Sequence, residues 1–260
     1  MVPEKADAKT FWEHIHRYRF AVPLVRGKRV LDIACGEGYG AAALLRAGAA
    51  SVTGVDVSAE TCAHAAQRYG LNTLVGDAQQ IPLADASVDV VVSFETIEHI
   101  SDPGRFLDEC ARVLAPGGTI VISTPNRAVY DELVPVNPYH VKELDRAEFI
   151  ALLGARFRSI TLFTQCPRMA AWWAPRALAA GHSFWHMQRG VGPVRRLLQR
   201  LFLRDTLSPA VLAEARENPV AAILKKPRPL AHLADPHAIR PEDRAARETP
   251  VYFVAVARRE

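Results

Sequence analysis

An acid and a set of glycines follow the first apolar run of the chain, where a parallel strand would present them to a ligand. Asp32 lies near the end of the run Val30 to Ala34, and glycines follow at positions 36, 38 and 40. Glycine allows a sharp turn and lets a ligand approach the backbone N–H groups closely. The helix pattern after this loop adds unpaired N–H donors that suit an anionic group. Gly36 and Gly38 are therefore predicted to bind a ligand.

A second acid, Asp56, ends the next apolar run, twenty residues after Gly36. An acid at this place can accept hydrogen bonds from both hydroxyls of an adenosine ribose. The alternative is that Asp56 only caps the helix that follows it. The glycine spacing also satisfies the dinucleotide-binding fingerprint, so the loop alone does not identify the ligand. Asp32, four residues before the first loop glycine, and the motifs further along the chain separate these alternatives.

Three further motifs follow along the chain. They are Gly76-Asp-Ala-Gln-Gln-Ile-Pro82, the run Val88 to Phe94 leading into Glu95-Thr-Ile-Glu-His99, and Leu114-Ala-Pro-Gly-Gly118 before a fifth strand. With these motifs in this order, residues 11–165 closely resemble the class I S-adenosylmethionine-dependent methyltransferases. The resemblance is closest to the group that includes quinone-biosynthesis and glycan or natural-product methyltransferases. Ala34 departs from the family pattern, which often has a glycine there.

The predicted fold is α/β. Strand and helix patterns alternate through residue 124, which calls for a parallel sheet with helices on both faces. The resemblance implies a Rossmann-like, mostly parallel sheet of seven strands in the order 3-2-1-4-5-7-6, with the last strand antiparallel. A helix is predicted over residues 6–26. The sixth and seventh strands are predicted over Phe157–Gln165 and Val251–Ala257.

The resemblance also implies S-adenosyl-L-methionine as the cofactor and assigns roles to single residues. Asp32 would orient the glycine loop and interact with the amino group of the cofactor, or would only cap loop N–H groups. Asp77 and Ala78 lie where the family contacts adenine, although Asp77 could only stabilise its own turn. Phe94 ends the fourth strand, where cofactor and acceptor meet. Tyr18 would close the cofactor site from the first helix, or would only pack in the core.

Two histidines, His99 and His140, are candidates for catalysis. A hydroxyl acceptor must lose its proton, and histidine is suited to take it near neutral pH. His99 follows the fourth strand, and His140 follows the fifth within Asn137-Pro-Tyr-His. Each could be a base, an acceptor contact or a residue that only fastens its loop. No spacing of the remaining histidines demands a metal, so no metal site is predicted, although a magnesium ion assisting a sugar diol stays open.

An unusually long segment separates the sixth and seventh strands. The predicted domains are a methyltransferase core, residues 1–165 plus 250–260, and a mainly helical insertion, residues 166–249. The insertion holds 14 Lys and Arg against 7 Asp and Glu, and three of the four tryptophans. Residues 194–204 have the pattern of a basic amphipathic helix. That helix is either a lid with its leucines on the core or a surface for an anionic or membrane-linked substrate.

Composition is that of an ordinary globular enzyme. The 260 residues carry a formal net charge of +4, and 49% of them are hydrophobic. No apolar run reaches the roughly 18 residues that span a bilayer, and the N-terminus lacks the pattern of an ordinary secretory signal. The four cysteines show no paired metal spacing and suit buried positions in a reducing compartment, which makes the cytoplasm the expected location.

The sequence thus predicts a methyltransferase that acts on oxygen. The leading acceptor is a saccharide or a glycosylated, lipid-linked compound, because tryptophan faces suit sugar rings and arginines suit phosphates. The runner-up is O- or C-methylation of a small quinone, phenol or natural product. An alternative of another class is a non-catalytic, cofactor-binding interaction protein. No recognisable module supports nucleic acid as a partner, and the sequence does not indicate an oligomeric state.

Overall fold

One mixed sheet of eight strands organises the computed structural model, which describes residues 8–128, 138–165, 209–225, 239–241 and 252–260. Its strands are β1 (Arg29–Ile33), β2 (Ser51–Asp56), β3 (Asn72–Val75), β4 (Val88–Ser93), β5 (Leu114–Pro125), β6 (Ile160–Gln165), β7 (Ile239–Pro241) and β8 (Tyr252–Arg258). They lie in the order β3-β2-β1-β4-β5-β8-β6-β7. The predicted order of seven strands is confirmed, with β8 as the predicted seventh strand. The three-residue β7 adds an edge that the sequence did not predict.

The strand directions bring several loops to one edge of the sheet. Strands β1 to β5 are all parallel, whereas β8 runs antiparallel to both β5 and β6. Ile33 at the end of β1 pairs in register with Val55, and Asp56 at the end of β2 pairs with Val75. The carboxyl ends of the parallel strands therefore meet, and ligands of open α/β sheets bind in the crevice outside such ends.

Helices cover both faces of the sheet, as predicted. They are α1 (Ala8–Ala21), α2 (Tyr39–Arg46), α3 (Ala59–Tyr69), α4 (Pro103–Val113), α5 (Arg146–Gly154), α6 (Pro209–Glu217) and α7 (Pro219–Leu224). Side chains of α1, α2 and α7 share one apolar core with one face of the sheet, and α4 and α5 pack on the other face. Helix α1 ends at Ala21, before its predicted end, because a 3₁₀ turn containing Pro23 follows. Within the described residues, no helix is long and apolar enough to cross a bilayer.

The start of α5 is fastened to the segment that follows β5. Asp145 caps the helix by accepting the N–H of Glu148 at 2.9 Å, and the Glu148 carboxylate returns to the N–H of Asp145 at 3.0 Å. Arg127, just after β5, donates to both carboxylates at 2.6 and 2.7 Å. This double capping contact fixes the chain on both sides of the segment that carries His140.

Part of the predicted insertion packs into the core. Val220 and Ile223 of α7 are each 1% exposed and lie in one cluster with residues of α1 and α2. Arg19 of α1 donates to the carbonyl oxygens of Ala222 and Ile223 at 2.6 and 3.3 Å, where α7 ends. The predicted helix at 194–204 and the three tryptophans lie outside the described residues, and the domain boundary at residue 166 stays a prediction.

Candidate active site

The loop after β1 has a left-handed backbone at three positions. The φ angles are +58° at Ala34, +53° at Gly36 and +79° at Gly38. A Cβ atom on Gly38 would lie 2.5 Å from the Cβ atom of Ala65 on α3, so glycine is required there both by conformation and by space. Ala34 adopts a conformation that favours glycine, and the departure from the family pattern is therefore tolerated at some cost in strain.

Asp56 links the glycine loop to the start of α3. One of its carboxylate oxygens accepts the Gly36 N–H at 2.9 Å, and the other accepts the Ser58 N–H at 3.0 Å. An ionised carboxylate can accept about four hydrogen bonds, so these two leave capacity for two hydroxyl donors. The cap of α3 is Ser58, whose hydroxyl accepts the Thr61 N–H, so Asp56 fastens the glycine loop to the start of the helix and also fits a ribose. The two roles are compatible.

Tyr18 and Asp32 meet at the end of β1. The Tyr18 hydroxyl donates to both carboxylate oxygens of Asp32, each at 3.1 Å. The pKa of the Asp32 carboxyl is raised to about 7. Burial is the largest cause, the hydrogen bond from Tyr18 opposes it, and the charge of Asp56 adds to it. The Tyr18 ring covers Gly40, where a Cβ atom would lie 2.0 Å from the ring, and packs edge-on against Phe94 at 5.1 Å between centroids.

The turn after β3 carries the two residues that were predicted to contact adenine. Asp77 is exposed, and its carboxylate accepts the N–H of Gln79 at 2.8 Å within the turn. Ala78 is buried in the core below it. Asp77 thus stabilises its own turn and still presents carboxylate oxygens at the edge of the sheet. The adenine contact predicted for these two residues stays a prediction.

An ionic network follows Phe94 in the segment after β4. Glu95 has a left-handed backbone, with φ of +53°, and accepts the Ser123 hydroxyl of β5 at 2.7 Å. Its second oxygen lies 3.6 Å from a guanidinium nitrogen of Arg17, a residue that is only 1% exposed. The Arg17 guanidinium also lies over the Tyr252 ring at 4.1 Å. Helix α1 is thereby held against the ends of β4, β5 and β8.

Next to this network the fold brings the two candidate histidines together. The rings of His99 and His140 lie 4.7 Å apart, nearly perpendicular. His99 Nδ1 bonds to the Tyr139 carbonyl at 2.8 Å, and His140 Nδ1 bonds to the Glu143 carboxylate. Glu98 is fully buried beside them, and burial raises its pKa well above the usual value, with the charge of Glu95 adding to the shift.

Two acids of this group, Glu98 and Glu143, were not among the predicted site residues. The only local sequence signal was that Glu98 directly precedes His99. Glu143 lies three residues after a predicted site histidine, which is an ordinary spacing for a surface charge. Their roles follow from burial and from contacts between segments about forty residues apart, which the sequence pattern does not report.

The sheet order, the glycine loop after β1 and the acid ending β2 define a nucleotide-binding protein of the Rossmann-like class. The residues fit an adenosine-type cofactor, because glycines open the loop and Asp56 keeps hydrogen-bonding capacity. Residues 31–122 match the model of a family described as "Methyltransferase domain". Residues 31–122 thus carry a methyltransferase domain, and the chain is similar to S-adenosylmethionine-dependent methyltransferases.

Curated relatives agree with this family. A "probable S-adenosylmethionine-dependent methyltransferase" of Mycolicibacterium smegmatis is 42% identical over 157 residues, covering 58% of this chain and 60% of that protein. The ubiquinone biosynthesis O-methyltransferase of Psychrobacter arcticus is 40% identical over 39% of this chain and 42% of its own length. The phthiotriol/phenolphthiotriol dimycocerosates methyltransferase of Mycobacterium leprae is 35% identical over 56% of this chain and 53% of its own length. The chain thus spans about half the length of these relatives.

A solved structure supports the same fold. An S-adenosylmethionine-dependent methyltransferase from Archaeoglobus fulgidus superposes with a TM-score of 0.57, covering 98% of this chain and 96% of that one. Sequence identity is 18%, so the similarity supports the fold alone.

Proposed function

We propose that this protein transfers a methyl group from S-adenosyl-L-methionine to a hydroxyl oxygen of a saccharide or of a glycosylated, lipid-linked acceptor. One observation carries the proposal. At the edge of the sheet, the contacts of Tyr18 with Asp32 and Phe94 connect a cofactor half, built from the glycine loop and Asp56, with the segment after β4. That segment leads into an acceptor half, which carries His99 and His140. A transferase needs both halves, whereas a protein that only binds the cofactor needs the first.

The cofactor half consists of residues with defined tasks. Gly36 and Gly38 let the backbone pass close to the methionine part of the cofactor, and Asp56 accepts the ribose hydroxyls. Tyr18 on α1 and Phe94 just after β4 close the site, which excludes water from the reacting centre. The bound sulfonium supplies an already activated methyl group, so the protein contributes mostly by positioning the acceptor in line with it.

The acceptor half removes a proton from the attacking hydroxyl. The Glu143 carboxylate bonds to His140 Nδ1. This contact orients the imidazole, as a third group orients the base beside many nucleophiles. On each side of His140 an apolar side chain is exposed, Tyr139 at 77% and Val141 at 60%. An exposed aromatic ring and an exposed valine beside the histidines suit an acceptor with apolar or ring surfaces.

The acceptor class rests on charge and on the relatives. The 14 basic residues and three tryptophans of residues 166–249 favour an anionic saccharide or a lipid-linked substrate. The named lipid acceptor of the M. leprae relative supports this class. The runner-up is a small quinone, phenol or other natural product, which the P. arcticus relative supports through its named ubiquinone pathway.

The test is methyl transfer by the full chain from S-adenosylmethionine labelled in its methyl group. The acceptor panel contains saccharides, glycolipids, quinols and simple phenols, and labelled product is separated from cofactor and identified by mass. Label in a glycan or glycolipid supports the leading acceptor, and label in a quinol supports the runner-up. Tight binding of S-adenosylhomocysteine without transfer to any acceptor would favour the non-catalytic alternative.

A further inference from the structure

Three side chains with metal-binding groups converge at the acceptor half of the site. Glu98, His99 and His140 each offer one ligand atom, and these atoms all lie within 4.8 Å of one another. Neighbouring ligands of one ion, with bonds of about 2.0–2.2 Å, lie about 3–3.5 Å apart. The three groups are therefore near enough to share a single cation once their side chains rotate towards it.

The Glu98 carboxylate gives an independent reason for a cation. Its side chain is fully buried, and among the described residues neither carboxylate oxygen has a hydrogen-bond partner. A buried acid without partners is costly, and such groups are usually paired or bound to a metal. The backbone carbonyl of the same residue accepts the N–H groups of Val141 and Lys142 at 2.8 and 3.3 Å. These bonds fix the His140 segment against Glu98.

Both imidazoles are oriented by a second group, as metal-binding histidines usually are. His99 Nδ1 bonds to the Tyr139 carbonyl, and His140 Nδ1 bonds to the Glu143 carboxylate. Of the two neutral tautomers, an oxygen partner at Nδ1 favours the one that carries its proton there and its lone pair on Nε2. That tautomer is the form that ligates a cation.

We propose that Glu98, His99 and His140 bind one divalent cation that holds the acceptor hydroxyl. One carboxylate and two imidazoles suit Mn²⁺, Fe²⁺ or Zn²⁺, whereas Ca²⁺ and Mg²⁺ prefer oxygen ligands. Three protein ligands leave coordination positions open, and two neighbouring hydroxyls of a diol can fill two of them. The sequence predicted no metal site, because 41 positions separate His99 from His140.

The inference rests on the proposed function and refines its chemistry. A cation lowers the pKa of a hydroxyl that it coordinates, so the acceptor proton leaves to solvent and a metal-bound alkoxide remains. The alkoxide forms the new carbon–oxygen bond while the carbon–sulfur bond breaks, and that electron pair stays on sulfur. The two histidines then act as ligands, and the cation takes over the activation of the hydroxyl.

The experiment measures metal binding directly, without cofactor or acceptor. The full chain is stripped with a chelator and dialysed, and Mn²⁺ is titrated by calorimetry and by the loss of its free electron-spin-resonance signal. We expect one Mn²⁺ per chain, and at least about tenfold weaker binding in Glu98→Gln, by analogy with losses of that size for outer-shell residues. His64→Ala is the matched control, because it removes a histidine beside a single carboxylate, Glu37, at 3.0 Å.

Unchanged Mn²⁺ affinity in Glu98→Gln, or no saturable binding to the wild type, would overturn the metal site. Thermal unfolding of each variant confirms that the fold is kept, and His99→Asn is the second variant should Glu98→Gln unfold. Failure of the metal site is distinct from failure of the proposed function. Methyl transfer that persists in chelator without Mn²⁺ binding refutes only the metal, whereas Mn²⁺ binding without transfer to any acceptor refutes only the transferase.

Discussion

Tyr18 and Asp32, fourteen residues apart, form a buried hydrogen-bonded pair in which one hydroxyl donates to both carboxylate oxygens at 3.1 Å. The pair fastens α1 to the end of β1 and places an aromatic ring over the glycine loop. Because Asp32 is only 1% exposed, its ionisation is unfavourable, and its pKa is raised to about 7. This pair makes the stability of the protein depend on pH.

Replacing Asp32 by Asn should remove a stability loss that occurs on raising the pH. The carboxyl titrates near 3.8 when unfolded and at about 7 when folded, so the folded state binds more protons between these values. Stability therefore falls as pH rises through this window, by about 4 kcal/mol for three pKa units. Relative to wild type, Asp32→Asn should gain stability between pH 4.5 and 7.5, as measured by denaturant unfolding.

The matched comparison is Asp89→Asn. Its hydrogen bonds from Arg29 lower the pKa of the Asp89 carboxyl to about 2, so the stability it contributes is lost only as pH falls from about 4 towards 2. Between pH 4.5 and 7.5 its difference from wild type should stay constant. A parallel drift in both variants would show that Asp32 is not the group responsible.

Asp56→Ala should weaken the binding of S-adenosylmethionine by at least about tenfold. The change removes two charge-assisted hydrogen bonds to the ribose, each worth about 1.5–3 kcal/mol. It also frees the Gly36 N–H, so loop order contributes to the loss. Ser58→Ala is the control, because Ser58 caps the same helix by accepting the Thr61 N–H. Calorimetry showing equal losses in both variants would reduce Asp56 to a residue that only stabilises the start of α3.

His140→Ala should lower turnover by roughly 10²–10⁴-fold and leave cofactor affinity nearly unchanged. The residue lies on the acceptor half, and removing it takes away a group that activates the hydroxyl, either as a base or as a metal ligand. Glu143→Gln should have a smaller effect in the same direction, because it only orients the imidazole. Lys142→Ala, an exposed neighbour paired with Glu148, is the control. Full activity of His140→Ala would move the role to His99.

Ile223→Ala should destabilise the protein by about 2–5 kcal/mol, the usual cost of truncating a buried isoleucine. Ile223 is 1% exposed within the core that α7 shares with α1 and α2. Denaturant unfolding measures the effect, and the exposed Glu217→Ala in the neighbouring helix is the control. Equal stability of Ile223→Ala and Glu217→Ala would contradict this placement of α7.

Replacing the whole of 166–249 by a short turn would remove the packing of α7 as well. A shortened variant that tests acceptor binding should therefore keep residues 209–225.

The sequence determined the sheet and the positions of the residues that are predicted to bind the cofactor. Short strand–loop segments contain Asp32, Gly36, Gly38 and Asp56. In such segments the local backbone conformation itself requires apolar runs and glycines. The parallel strands place such segments side by side, so their positions could be predicted from spacing and resemblance alone. The end of α1 could be predicted only to within a few residues, because a 3₁₀ turn containing Pro23 ends this helix at Ala21.

Only the tertiary structure decided the acceptor half and the place of α7. Glu98 and His140 are 42 positions apart, and they meet because Val141 and Lys142 donate to the Glu98 carbonyl. Val220 and Ile223 pack with the first helix, which is about two hundred residues away in sequence. The local sequence does not specify which distant segment an apolar side chain will contact. Local patterns record backbone preference and hydrophobic period, whereas the burial of a particular carboxylate depends on which distant segments enclose it.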